Sequence, residues 1–514
     1  MVSRPIWWRL ATLFVVGGLA ARALWLAWQY YFAGGPRYRV ESAMIALVII
    51  GSIIVALRRG DPHVDDAATD VGPVLSDRLS RVPRWWLAVC VVAAPALYSG
   101  AIGLGFLSDD YTLRNMAQSD GLGSGTGWFF RPVPLLLWRG LLAAADTPVA
   151  LHLLNLLLHG VNAYLVALLG RAMGMRREVA LGAAALFLTF PALAEAVVWA
   201  AGIQDVLMTT MALGVVVLCA RDSPGRGRIA LICALLILGF GSKETAVCIP
   251  ALIALCWVTR ERVSRDWKLY AAIAAVTALY LAIRLPMGIG GDYLGAPTRY
   301  FFKQMIVVAF GTLAAPWRDP SLMYERWQAF IAVSLVVLLL VHACVTWGRS
   351  DDRAHRAVRL ALWVLAAIAP VFTLFFVGPT LEGSRYLYLA SCAWSLFVAD
   401  LIATASEPLS NRSLVFRASV AVIVLVFAVS VQREVGVWRQ AADLRDRVLA
   451  DARTALDRSG CVRAAFTSVP DSVSGAYVFR NGFPEALGIA VTDREAAPPE
   501  CTFTWADGRF SRSR

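Results

Sequence analysis

Apolar stretches of roughly 15 to 25 residues recur along almost the whole chain, and short arginine-bearing connectors separate them. This spacing predicts helices that cross a bilayer in succession, because a membrane barrel would show a period-2 alternation instead. The predicted spans are 6–32, 42–57, 85–106, 151–169, 179–201, 206–220, 229–240, 245–258, 269–285, 328–347, 360–377, 386–403 and 414–431. Basic residues cluster on the cytoplasmic side of membrane proteins. The connector 58–84, with Arg58, Arg59, Arg78, Arg81 and Arg84, therefore lies inside, the N-terminus lies inside, and the C-terminus lies outside. A full span at 301–315 would put Arg349, Arg353, Arg356 and Arg359 on the wrong side, so that stretch is expected to be re-entrant or interfacial.

The organisation that follows is an all-α polytopic membrane bundle of about 13 transmembrane helices with a small external α/β C-terminal appendage. Residues 1–57 form an N-terminal transmembrane hairpin, and 58–84 a cytoplasmic connector. Residues 85–431 form a membrane domain with a large external loop at 107–149 and the re-entrant segment within 286–327. The loop holds the glycine-rich tract 121–127 and a short amphipathic helix around 134–145. Residues 432–514 form the appendage. It opens with an amphipathic helix from about 433 to 456 and continues with strands near Tyr477-Val478-Phe479 and Thr502-Phe503-Thr504-Trp505, with turns at Asn481-Gly482 and Asp507-Gly508.

Composition narrows the class further. With 514 residues, 58% hydrophobic, 16% charged and a mean hydropathy of +0.62, a soluble protein with one core is excluded. The net charge of +12 lies between apolar runs, not in a basic domain, so it reads as a topology signal and no nucleic-acid partner is expected. The first run is too long for a signal-peptide core and is expected to be a retained anchor. Seven of the nine cysteines lie in apolar runs without metal or redox spacing. Cys461 and Cys501, alone in the polar tail, are a disulfide candidate for an oxidising compartment.

The candidate chemistry gathers at the outer ends of the predicted helices. Asp109 and Asp110 are adjacent carboxylates where an apolar run stops, and they need a cation, a proton or a substrate to settle them. His152, Asn155 and His159 fall at i, i+3 and i+7 of one helix, so they project on one side. The two imidazoles are about 10 Å apart along the axis, which suits interhelical hydrogen bonding better than a shared metal. Glu195, Trp199 and Asp205 flank the next outer turn, and Lys243 with Glu244 forms another. Glu382, Arg385 and Tyr386 open a later helix, with Arg131 in the external loop. Pairing within the chain, Glu382 with Arg385 and Lys243 with Glu244, is one reading of these charges. The other is one polar site mixing carboxylate bases with cations that hold an anionic phosphate. Of the two aspartates, Asp109 is expected to be the more desolvated, being closer to the membrane boundary.

The order of these motifs resembles the GT-C superfamily of polyprenyl-phosphate-sugar-dependent glycosyltransferases, nearest the transmembrane and tetratricopeptide-containing O-mannosyltransferases and their bacterial relatives. The matching pieces are Ser108-Asp109-Asp110, Phe130-Arg131-Pro132, His152-x-x-Asn155-x-x-x-His159, and Pro191-x-x-x-Glu195-Ala196-x-x-Trp199-Ala200-Ala201-Gly202 with Asp205. Ser242-Lys243-Glu244 and Glu382-x-x-Arg385-Tyr386-Leu387-Tyr388 follow in the same order. The resemblance implies an inverting hexosyltransferase at the periplasmic face of a bacterial-type inner membrane. Its donor would be a polyprenyl-phosphate sugar and its acceptor a protein, glycolipid or polysaccharide. Carried onto this chain, Asp109 or Asp110 is the general base and Arg131, Lys243 and Arg385 contact the donor phosphate. His152, Asn155, His159 and Glu195 line or brace the site, and the donor lipid lies near 301–315. No cofactor is implied; a divalent metal is compatible with these residues without being required by them. The chain departs from the family pattern in having Phe190 before the proline, Ile203-Gln204 between glycine and aspartate, and no tetratricopeptide array. A transporter or flippase for a lipid-linked glycan, and an O-antigen ligase or polymerase, are the competing classes.

Overall fold

The computed structural model of the protein describes residues 82–119, 130–221, 223–284, 308–318, 352–371, 377–461, 463–488 and 499–512. Among these it is mostly helical. Five helices are long and apolar enough to cross a membrane, or six if one pair bent by 53° is a single span. The expected thirteen spans are not seen as such. Those at 6–32, 42–57 and 328–347 lie outside the described residues, as do the glycine-rich tract and most of 286–327. Several others are shorter or broken, for local reasons.

Helix α1, Arg84–Leu97, contains Pro95 and ends at Tyr98, giving way to a 3-10 turn at Ser99–Ala101 and then to irregular chain. Gly103 and Gly105 follow, the latter with φ of 74°, so the predicted span to 106 stops well short. A short helix, α2 (Asp109–Gln118), and the apolar α3 (Pro132–Ala144) form the surface part of the first loop. Next come α4 (Val149–Ala172), α5 (Arg177–Leu188), the five-residue α6 (Ala194–Val198) and α7 (Ile203–Cys219). Pro191 lacks the N–H that would continue α5, and the chain restarts as a 3-10 turn before α6. The predicted span 179–201 is therefore two pieces bent by 53°. Two short helices, α8 (Arg226–Phe240) and α9 (Ile249–Trp257), precede α10 (Trp267–Arg284), α11 (Asp352–Ile368) and α12 (Tyr388–Ser406). Ala309–Ala314 is a six-residue helix, the only described part of the segment expected to be re-entrant besides its immediate flanks.

The core lies where α4 packs on α1, α5 and α7, with α12 against α5 and α11. The small residues Ala163, Ala167, Ala180, Ala183 and Ala184 are buried there, so helices approach closely without a hydrophobic force between them.

The longest element, α13 (Arg412–Ser459), runs 48 residues without a break, where the sequence suggested a span ending at 431 and a separate amphipathic helix. At 1.5 Å per residue it is about 72 Å long, more than twice a hydrocarbon core, so one half extends beyond the bilayer. The two halves bury differently. Leu414, Val422, Leu425 and Val429 are exposed large hydrophobics, whereas Val431, Val435, Trp438, Ala442, Arg445, Leu449 and Ala452 form a buried stripe. Nothing in 427–436 breaks the helical ladder, which is why the change of surroundings is not a change of element.

The tail folds onto that second half. Strand β1 (Ala464–Thr467) pairs in parallel with β4 (Cys501–Ala506), Phe466 opposite Phe503, and β4 pairs antiparallel with β5 (Arg509–Arg512). Asp507 and Gly508 both have positive φ, 50° and 76°, as a two-residue hairpin turn requires. Strands β2 (Ser472–Val473) and β3 (Ala476–Tyr477) form a second, two-stranded piece. Asn481-Gly482, expected as a turn, leads into the short helix Phe483–Leu487, with Gly482 left-handed at its start. Cys461 and Cys501 are disulfide-bonded, their Cα atoms 6.3 Å apart.

Candidate active site

A broken helix leaves carbonyl groups with no partner of their own, and inside a membrane protein these need side-chain donors. The breaks at 188–191 and 198–202 create such carbonyls, and α4 supplies the donors. His159 Nε2 lies 3.0 Å from the Leu188 carbonyl oxygen, and His152 Nδ1 3.0 Å from that of Val198. Asn155 Nδ2 donates at 2.9 Å to the Trp199 carbonyl, which also accepts from the Gly202 N–H at 3.0 Å. With Nε2 donating, His159 Nδ1 accepts from the Tyr388 hydroxyl at 2.7 Å, tying α12 to the same place. His152, Asn155 and His159 are thus all buried and committed to holding the break, with His152 Nε2 also 3.2 Å from the Gly105 carbonyl.

The charged residues sit on what these braces hold. Asp205 begins α7 directly after the break, and its carboxylate accepts from Lys243 Nζ at 2.5 Å, both side chains buried. Burial pushes the Lys243 ammonium below its ordinary value, with Asp205 pulling it back up. Glu195, on α6, accepts from the Arg385 guanidinium, from the Arg385 backbone N–H at 3.3 Å and from the Ser384 hydroxyl at 3.4 Å. Arg131 pairs with Glu244 at 2.8 Å and donates to Gln204, while the fully buried Arg284 lies 4.0 Å from Glu244. The Tyr386 ring joins two of these pairs, with Lys243 Nζ 5.2 Å from its centroid and the Arg385 guanidinium 5.0 Å.

The local pairs read from the sequence are not the ones formed. Lys243 is extended, with φ of −160° and ψ of 146°, so it points away from Glu244, its chain neighbour. Gly383, left-handed at φ of 80°, interrupts the helix that would have brought Glu382 onto Arg385. Glu382 instead pairs with Arg480 of the appendage at 2.5 Å.

The two aspartates differ sharply. Asp110 is fully buried, and its two carboxylate oxygens accept from the Leu107 N–H at 2.9 Å and the Ala201 N–H at 2.8 Å. Burial raises its carboxyl well above the ordinary range, against those two donors and Arg445, which lower it. Trp199 Nε1 donates to the Leu107 carbonyl at 3.0 Å, so the 107–110 turn is fastened to the chain around the 198–202 break twice. Gly202 is needed there, since a Cβ would lie 2.1 Å from the Ala196 carbonyl oxygen. Asp109 faces the other way and is half-exposed, accepting from Asn481 Nδ2 at 2.6 Å and from the Ser108 hydroxyl at 3.4 Å. The expectation that Asp109 is the desolvated member is reversed, because the turn at Ser108 directs Asp110 inward between two backbone N–H groups.

Sequence reasoning missed Gln204, Tyr477, Arg480, Asn481 and Arg445. Arg445 donates to the Leu104 and Phe106 carbonyls at 2.7 Å each, holding the irregular chain before Asp109. A charged residue inside the apolar stripe of the amphipathic helix was the available signal for it. The tail residues carried none. Among the described residues no group of three or more His, Cys, Asp or Glu is placed to hold a metal ion.

One curated protein resembles part of this chain. A fruit-fly (Drosophila melanogaster) protein O-mannosyl-transferase, Tmtc1, is 31% identical over 205 residues, covering 36% of this chain. The chain spans about a quarter of that relative's length, 24%. No protein-family model matches the chain. No solved structure matches it either.

Proposed function

We propose that this protein is a membrane glycosyltransferase of GT-C type that moves a hexose from a polyprenyl-phosphate donor to a protein, glycolipid or polysaccharide hydroxyl at the external face. The observation that carries it is the gathering of two buried cation–carboxylate pairs, Lys243 with Asp205 and Arg385 with Glu195, on the chain around one helix break, to which Asp110 and Trp199 fasten the turn that bears Asp109. That is the equipment for deprotonating a hydroxyl while a phosphate departs. The partial similarity to an O-mannosyltransferase supports the same reading. The bilayer supplies the donor lipid, and the inner membrane of a bacterial-type cell, with the site and C-terminus periplasmic, is the proposed location.

In this mechanism the acceptor oxygen attacks the anomeric carbon and its proton passes to Asp109. The bond between the sugar and the phosphate oxygen breaks, and the electron pair leaves with the phosphate. A single displacement inverts the anomeric centre. Lys243 can serve the leaving phosphate, because its ammonium carries three N–H donors and Asp205 takes one. Arg131 and Arg385 complete the positive surroundings. Glu195, Asp205 and Glu244 hold the cations in place, and Asp110 holds the turn that presents Asp109.

Membranes containing the protein and a labelled polyprenyl-phosphate hexose test this directly. Asp109→Asn should lower transfer by about 10²–10⁴-fold, the usual worth of a positioned base. Full transfer by an expressed Asp109→Asn protein rules out the assignment of the base.

A further inference from the structure

The appendage does not hang beside the membrane bundle; its segment 477–482 is built into the 107–111 turn. Ser108 N–H donates to the Val478 carbonyl at 2.9 Å, and Asn481 N–H donates to the Ser108 hydroxyl at 3.2 Å. Gly482, at φ of 80°, passes so close that a Cβ there would lie 2.5 Å from the Ser108 carbonyl oxygen. Ser108 itself has φ of 48° and ψ of −119°, a conformation that costs a residue other than glycine about 1–3 kcal/mol and persists only where neighbours enforce it. The enforcing neighbours are the appendage's Val478, Asn481 and Gly482. Farther along the same segment, the Tyr477 hydroxyl donates to Glu195 at 3.1 Å and accepts from Arg385 at 2.9 Å.

Asn481 makes the contact that matters for the reaction. Its carboxamide nitrogen donates to Asp109 Oδ1 at 2.6 Å. Among the described residues, the second oxygen of Asp109 has no partner. A carboxylate held at one oxygen by an amide N–H and open at the other is fixed in rotamer and aimed, with its open lone pairs left to receive a proton.

We infer that the C-terminal appendage completes the transfer site: Asn481 is a positioning residue that orients Asp109 for proton abstraction, and the segment 477–482 holds the strained Ser108 turn on which Asp109 stands. This rests on the reading of Asp109 as the base. It assigns the appendage a part in the reaction itself, beyond any part in choosing the acceptor.

Three substitutions in the full-length protein separate positioning from bulk stability. Asn481→Ala removes the donor, Asn481→Asp keeps the shape but places an acceptor against Asp109, and Asn481→Gln keeps the donor on a longer arm. With a labelled polyprenyl-phosphate hexose, Asn481→Ala and Asn481→Asp should lower kcat about 10-fold or more while donor KM stays within about twofold, and Asn481→Gln should recover part of the loss. Thermal unfolding midpoints should not follow that order, because Asn481 is exposed. Asn481→Asp transferring at the wild-type kcat, in protein whose wild type is active, overturns the positioning role alone. A wild-type protein that transfers no hexose from such donors overturns this role together with the function it rests on.

Discussion

Replacing each aspartate by asparagine should separate a base from a brace. In Asp110→Asn the side chain keeps one acceptor oxygen, but the other position becomes an NH2 group facing a backbone N–H. Either Leu107 or Ala201 then loses the partner it holds at 2.9 or 2.8 Å. A buried N–H left without an acceptor costs about 1–3 kcal/mol. For domains of 150–250 residues, each kcal/mol moves the unfolding midpoint by about 2–4 °C, and less for a longer chain. A drop of a few °C in detergent is therefore expected, with transfer falling in step as the 107–110 turn loosens. Asp109→Asn, half-exposed, should shift the midpoint by no more than about 0.5 kcal/mol allows, yet lose about 10²–10⁴-fold in rate. Thermal unfolding and transfer, measured on the same preparations, give the two axes. If Asp110→Asn unfolds at the wild-type temperature and Asp109→Asn keeps its rate, the roles drawn from their surroundings are wrong.

Further outcomes follow from the same contacts. Because burial holds the Asp110 carboxyl above its ordinary range, the native state keeps a proton that the unfolded chain has released; stability should fall as pH rises from about 4 toward the raised native value, and this slope should shrink in Asp110→Asn when midpoints are measured across pH. Glu195→Gln strips the countercharge from Arg385 and should destabilise by about 3 kcal/mol, with part restored in the double variant Glu195→Gln/Arg385→Gln, a cycle read by thermal unfolding. Lys243→Met should lower transfer more than Arg131→Met does, since Lys243 has donors to spare for a phosphate, and rates at saturating donor decide this. Cys461→Ser opens a link between residues 40 apart and should cost the appendage about 2–4 kcal/mol; protease cleavage within the tail should quicken and transfer should fall as Asn481 loses its hold on Asp109.

The sequence by itself determined the class of the molecule and many of the polar residues that the fold draws together. Hydropathy of +0.62 and repeated apolar runs point to helices in a bilayer, and several of the polar residues that interrupt those runs, His152, Asn155, His159, Glu195, Trp199 and Asp205, gather at the helix break, whereas Asp109 and Glu382 face the appendage. Alternation and turn chemistry in the tail likewise announced the strand at Cys501–Ala506 and the Asp507-Gly508 turn. What only the tertiary structure decided is which charge answers which, and which aspartate faces in. Lys243 meets Asp205, Arg385 meets Glu195 and Glu382 meets Arg480 across separations of 38, 190 and 98 residues, and no periodicity encodes partners so distant. The inward turn of Asp110 depends on a positive φ at Ser108, a residue that carries no sequence mark for it, enforced by a segment 370 residues farther along the chain. Local pattern follows from the solvent each residue must face, whereas the site is made where broken helices expose backbone groups and whatever donors pack nearby must satisfy them.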